Sequence, residues 1–132
     1  MLIDTSGLLC YYHLDEPRHA EAVELFVDAK RRVIHDYILA EFLPLCRSRG
    51  VDFAGAIELV EELLNNDEVE VYWIDEALHR AAVHLLKSRP DKSYSLCDAV
   101  SFVLMRQLDI DEALTTDKHF EQEGFKRLLS SE

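Results

Sequence analysis

The chain has 132 residues, 48% of them hydrophobic and 30% charged, which is typical of one globular domain spanning residues 1–132. Its 26 acidic residues outnumber its 14 basic residues and give a net charge of −12. This charge argues against general affinity for nucleic acid. It is compatible with a bound metal or a basic protein partner. Because no basic leader with an apolar core and no apolar run of membrane-spanning length is present, we expect a cytoplasmic protein with no membrane association.

Hydrophobic periodicity predicts strands that alternate with helices along the whole chain. The predicted strands cover residues 1–3, 33–35, 69–73, 113–116 and 125–129, the last as an edge strand. The predicted helices cover residues 6–13, 17–30, 37–49 (with Pro44 inside), 53–64, 78–85, 95–108 and 117–123. This alternation indicates the α/β class, with helices packed on a parallel sheet.

The cysteines give no sign of a disulfide framework or a zinc site. Cys10, Cys46 and Cys97 are odd in number, widely separated and without a CxxC pair. Each lies among apolar neighbours, so we expect three buried thiols in a reducing compartment.

Two carboxylates follow predicted strands. Asp4 comes directly after the first strand and Asp117 after the strand that ends near Thr116. Ligands and reacting groups collect at the carboxyl ends of strands in open α/β sheets. Capping of the following helix is the alternative for both residues.

Two further carboxylates lie near the starts of helices. Glu41 stands in an apolar run and is expected to be at least partly buried, with a salt bridge to Arg47 or Arg49 as the alternative to metal binding. Asp98 has the spacing of a capping box with Ser95, which is the alternative for that residue.

In a parallel sheet these four acids can converge on one edge. Such a group cannot stay fully ionised without protons or cations, and its oxygen atoms are the ligands that Mg²⁺ and Mn²⁺ prefer. The sequence therefore favours a divalent metal site.

The same residues carry a resemblance to a known family that extends over essentially the whole chain. Four short motifs occur in order: Ile3-Asp4-Thr5-Ser6, Leu39-Ala40-Glu41, Leu96-Cys97-Asp98-Ala99, and Thr115-Thr116-Asp117-Lys118-His119-Phe120. In this order they resemble a PIN domain, in particular a VapC-type toxin ribonuclease of a bacterial toxin–antitoxin pair. The resemblance implies a three-layer α/β/α fold with a central, mostly parallel sheet and the first strand in its middle.

The resemblance also implies a site and a reaction. Asp4, Glu41, Asp98 and Asp117 would hold one or two Mg²⁺ or Mn²⁺ ions, with Ser6 or Thr116 beside them. A metal-activated water would hydrolyse RNA endonucleolytically and leave a 5′-phosphate and a 3′-hydroxyl, without a nucleophilic side chain. The implied partners are the RNA substrate and a VapB-like antitoxin, and a homodimer is expected by analogy.

Substrate contacts are less clearly marked. Arg89 and Lys92 precede the helix of Asp98, and Lys118 flanks Asp117, so these cations are candidate RNA contacts. A solvated surface is the alternative for all three. His119 is open between a packing role and substrate contact.

Two other functions are considered. A binding module would retain the acids, cleave weakly or not at all, and mainly hold a basic antitoxin-like partner. A phosphatase of the haloacid-dehalogenase type would need a second aspartate where Ser6 stands, and the paired acids of a receiver domain are not visible.

Overall fold

A computed structural model describes residues 1–130 and contains one five-stranded sheet within them. The strands are β1 (Leu2–Ile3), β2 (Val33–His35), β3 (Glu70–Tyr72), β4 (Glu112–Leu114) and β5 (Lys126–Arg127). Their order is β3-β2-β1-β4-β5, and every neighbouring pair is parallel. The first strand is therefore central and the last is an edge strand, as predicted.

Seven helices connect and cover these strands within the described residues. They are α1 (Thr5–Tyr12), α2 (His19–Asp28), α3 (Asp36–Ser48), α4 (Phe53–Asn65), α5 (Glu76–Ser88), α6 (Leu96–Leu108) and α7 (His119–Gln122). Each predicted helix is found, which confirms the three-layer α/β/α class. None of the helices in residues 1–130 is both long and apolar enough to cross a membrane.

The α5 helix extends beyond its predicted range of 78–85 at both ends, and α2 and α7 begin two residues later than predicted. The segment around Pro17 forms a turn, so α2 begins at His19. Asp117 and Lys118 likewise precede α7, because the Asp117 side chain closes a turn onto the amide of His119.

The centre of the sheet is covered on both faces. All residues of β1 and β2 are buried, which is why these strands read as short apolar runs rather than as alternating patterns. The three cysteines are also buried and free, as expected.

One glycine sets the distance between α1 and the sheet. A Cβ atom at Gly7 would lie 1.8 Å from the carbonyl oxygen of Leu114 in β4. Only glycine permits this approach. It brings the start of α1 beside the carboxyl end of β4.

His35 joins β2 to two helices. Its ring is fully buried, its Nδ1 accepts from the amide of Ile38 in α3 (3.3 Å), and its Nε2 therefore donates to the Ser101 hydroxyl in α6 (2.8 Å). Burial lowers the pKa of His35 to about 3. The neutral ring is thus part of the folded core.

Replacing this histidine should change how stability depends on pH. Between about pH 6.5 and pH 3 the unfolded chain binds a proton at His35 that the folded chain does not, so acid favours unfolding. We expect the stability difference between wild type and His35→Asn to shrink by about 2 to 3 kcal/mol from pH 7 to pH 4.5. Urea unfolding in chelator measures it. A difference that is constant across this range would contradict the neutral, buried histidine.

Candidate metal centre

A cavity of about 380 Å³ opens at the carboxyl edge of the sheet, and all four predicted carboxylates line it. Asp4 follows β1 and Asp117 lies three residues beyond the end of β4. Asp98 lies in the first turn of α6, and Glu41 lies in the second turn of α3. Four separate elements therefore deliver the four acids to one place.

Asp4 is the most buried of these acids, with 4% of its surface exposed. Its Oδ2 accepts a hydrogen bond from the Thr115 hydroxyl at 2.8 Å and lies 3.4 Å from the Ser6 hydroxyl. Burial raises the pKa of Asp4 to about 7; the Thr115 hydrogen bond opposes this shift and the nearby Asp98 carboxylate adds to it. Although Asp4 occupies the N-cap position of α1, its side chain makes no capping hydrogen bond.

Asp98 combines the capping role that its sequence suggested with a position in the cavity. It forms a capping box with Ser95: the Ser95 amide donates to Asp98 Oδ2, and the Asp98 amide donates to the Ser95 hydroxyl, both at 3.0 Å. The same Oδ2 lies 3.0 Å from Nδ1 of His119 in the cavity. Capping therefore fixes the carboxylate without removing it from the site.

Asp117 is held by a tight turn. Its Oδ1 accepts from the His119 amide at 2.9 Å, and its own amide donates to the Thr115 hydroxyl at 3.0 Å. Its Oδ2 lies 3.4 Å from Nδ1 of His119. The carboxylate is half-buried and faces the cavity.

The prediction that Glu41 is at least partly buried was wrong. The apolar face of α3 packs inward, whereas Glu41 lies on its exposed side, and its Oε1 accepts from the Thr5 hydroxyl at 2.8 Å. The proposed ion-pair partners are engaged elsewhere. Arg49 pairs with Glu16 at 3.3 Å, and the Arg47 guanidinium lies over the ring of Phe53 in α4.

Hydroxyl groups orient the buried end of the cluster. Thr115, which sequence reasoning did not single out as a site residue, is fully buried and links Asp4 to the amide of Asp117. Ser6 lies 3.0 Å from the Thr115 hydroxyl and accepts from the amide of Thr116 at 3.1 Å. One feature of the sequence could have identified Thr115: it is a threonine at the end of a buried strand. A buried hydroxyl needs a hydrogen-bond partner, and Asp4 directly follows the neighbouring strand.

The predicted basic contacts lie in different surroundings. Arg89 donates to the buried Glu123 from Nε (3.1 Å) and Nη2 (3.0 Å). Lys92 lies 3.5 Å from Asp91, and Lys118 is exposed. Arg49, considered in the sequence only as an ion-pair partner, lines the cavity.

The donor set fits a divalent cation. One ligand atom each from Asp98, Asp117 and His119 lie within 4.8 Å of one another, and Asp4 and Glu41 line the same cavity. Atoms on opposite sides of one Mg²⁺ ion are about 4.2 Å apart, so Asp98, Asp117 and His119 need little movement to share an ion. Burial and the neighbouring Asp98 carboxylate both raise the pKa of Asp4, and a bound cation would favour its ionised form.

Comparisons with known proteins identify the family of the chain. The PIN domain family matches residues 1–126. Ribonuclease VapC26 of Mycobacterium tuberculosis is 32% identical over 130 residues, which cover 91% of this chain and 89% of that protein. The crystal structure of Mycobacterium tuberculosis VapC20, a sarcin–ricin loop cleaving toxin, matches with a TM-score of 0.86 at 25% identity, over 94% of this chain and 95% of that one. The chain therefore belongs to the PIN domain family and, within it, to the VapC-type toxins.

Proposed function

We propose that this protein is an endoribonuclease toxin that hydrolyses RNA phosphodiester bonds with the help of Mg²⁺ or Mn²⁺. One observation carries the proposal: four carboxylates from separate elements line one cavity in a chain of the VapC type. Asp4, Glu41, Asp98 and Asp117 are the proposed metal ligands and catalytic residues. A bound divalent cation supplies Lewis-acid activation of water and neutralises charge at the phosphate.

The chain's own contribution is to hold its carboxylates in place before the substrate arrives. Thr115 fixes Asp4, the Ser95 capping box fixes Asp98, and the turn onto His119 fixes Asp117. Groups oriented in advance need no reorganisation during the reaction, which is the main source of electrostatic catalysis. Ser6 supports this arrangement through Thr115, and the Thr116 hydroxyl is retained as a second proposed support.

The substrate is proposed to be a structured RNA loop, by analogy with the loop that VapC20 cleaves. With a net charge of −12, the chain must rely on local cations to hold a phosphate backbone. Lys118, Lys92 and Arg89 remain the proposed RNA contacts, and Arg49 joins them because it lines the cavity. Arg89 is proposed to contact RNA while it stays bound to Glu123.

The acidity of the chain supports a second role beside catalysis. We propose that a basic, VapB-like antitoxin binds this protein in the cytoplasm, and that the protein forms a homodimer. A protein that only bound such a partner would show no RNA turnover. Neutralising one acid would then leave its activity at zero.

Asp98→Asn should weaken metal binding sharply and abolish RNA cleavage while the fold is retained. An asparagine oxygen can still accept the Ser95 amide hydrogen bond, so the cap persists while the charge at the cation is lost. We expect Mn²⁺ affinity to fall by at least about tenfold, measured by calorimetry. Cleavage of a sarcin–ricin loop hairpin in Mg²⁺ or Mn²⁺ is the activity assay.

Asp75→Asn is the matched control for this experiment. Asp75 caps α5 through the same kind of bond to the Leu78 amide, at 2.9 Å, but does not line the cavity. It should bind Mn²⁺ as wild type does. Equal binding by wild type and Asp98→Asn would refute the proposed ligand set.

Thr115→Val should weaken the site by removing the hydroxyl that orients Asp4 and Asp117. Valine has the shape of threonine but cannot donate to Asp4 or accept from the Asp117 amide. We expect about 10- to 100-fold losses in metal affinity or cleavage, because residues that orient ligands commonly have effects of this size. Thr115→Ser keeps the hydroxyl and should recover most of the loss. Failure of serine to recover it would mean that packing, not the hydroxyl, is what matters.

A further inference from the structure

We infer that His119 supplies a nitrogen ligand, Nδ1, to the divalent cation of this site, beside Asp98 and Asp117. The inference rests on the proposed function, since it presumes that the carboxylate cavity holds a metal. It adds a residue that the acidic pattern of the sequence does not include. The observations that carry it are the position of Nδ1, the partner of Nε2 and the support behind the ring.

The Nδ1 atom is placed among the acidic oxygens. It lies 3.0 Å from Asp98 Oδ2 and 3.4 Å from Asp117 Oδ2. The lone pairs of these three atoms repel one another unless a proton or a cation lies between them. Ligand atoms of the three residues all fall within 4.8 Å of one another.

The other ring nitrogen has the partner that a metal-binding histidine requires. Nε2 lies 3.2 Å from the Ser93 hydroxyl, which also lines the cavity. Histidine ligands in proteins almost always donate their second N–H to a hydrogen-bond acceptor, which fixes the ring and leaves the first nitrogen free for the metal. The Ser93 hydroxyl is placed to accept such a hydrogen bond from Nε2, with Nδ1 facing the carboxylates.

The ring is also held from behind. Tyr94 packs edge-on against it with ring centroids 5.3 Å apart, and the Tyr94 hydroxyl donates to Glu123 at 2.9 Å. Glu123 in turn is paired with Arg89 and Arg106 and is nearly fully buried. This network ties the end of α7 to the loop before α6, and so limits movement of His119 away from Asp98.

A nitrogen ligand has a consequence for metal choice. Mg²⁺ strongly prefers oxygen ligands. Mn²⁺ accepts imidazole more readily, as a first-row transition-metal ion. A site with His119 should therefore favour Mn²⁺ over Mg²⁺ more than a site of carboxylates alone.

The test is to measure metal binding by wild type and His119→Phe, which keeps an aromatic ring against Tyr94 but has no nitrogen. In wild type, electron spin-echo spectra of bound Mn²⁺ should show coupling to one ¹⁴N nucleus, and this coupling should vanish in the variant. Calorimetry should show a loss of Mn²⁺ affinity of at least about tenfold, with a smaller change for Mg²⁺. His84→Phe, on the exposed side of α5, is the control and should bind as wild type does.

Two results would overturn the inference while leaving the proposed function intact. One is Mn²⁺ binding by wild type without ¹⁴N coupling. The other is tighter metal binding by His119→Phe, which would mean that the histidine competes with the cation as a positive partner of the acids. Absence of any metal binding by folded wild type would instead overturn the proposed function together with this inference.

Discussion

Negative charge held at the end of the central strand is the constraint on which the rest of the structure depends. Asp4 is buried directly after β1, and burial together with neighbouring carboxylates makes its ionised form unfavourable. The surrounding residues compensate in part. The Thr115 hydroxyl donates to Asp4, and the Ser95 amide donates to Asp98. A divalent cation would offset the remaining negative charge of the carboxylates. Relief of their mutual repulsion would therefore contribute to the free energy of cation binding.

The parallel sheet explains why these groups meet. With β1 in the middle and β4 beside it, the residues that follow both strands lie at the same edge. Gly7 lets α1 approach β4 closely enough for Ser6 to reach the Thr115 hydroxyl. The capping box of α6 then places Asp98 in the same cavity. Each contact is ordinary on its own, and the site arises because the topology brings these contacts to the same edge of the sheet.

Much of this could be predicted from the sequence because it depends on local signals. Apolar runs and helical spacing located the elements, and acids that follow strands or open helices identified Asp4, Asp98 and Asp117. What could not be predicted depends on side-chain direction and on contacts distant in sequence. Glu41 lies beside buried residues of α3 but on the exposed side of that helix, where it lines the cavity. Thr115 reaches Asp4 across 111 residues, and Arg89 is bound to Glu123 across 34. A sequence pattern shows neither the rotation of a helix nor a pairing between separate strands and loops.

The most direct test of the central claim is the position of the metal in a crystal grown with Mn²⁺, located by anomalous scattering at the manganese edge. We expect a peak in the cavity at the carboxyl edge of the sheet, in contact with Asp98 and Asp117 and close to Asp4. Exposed acids elsewhere offer a natural comparison, because Glu58, Glu61 and Glu62 form a second acidic surface on α4. A peak confined to that surface, or none in the cavity, would contradict the account.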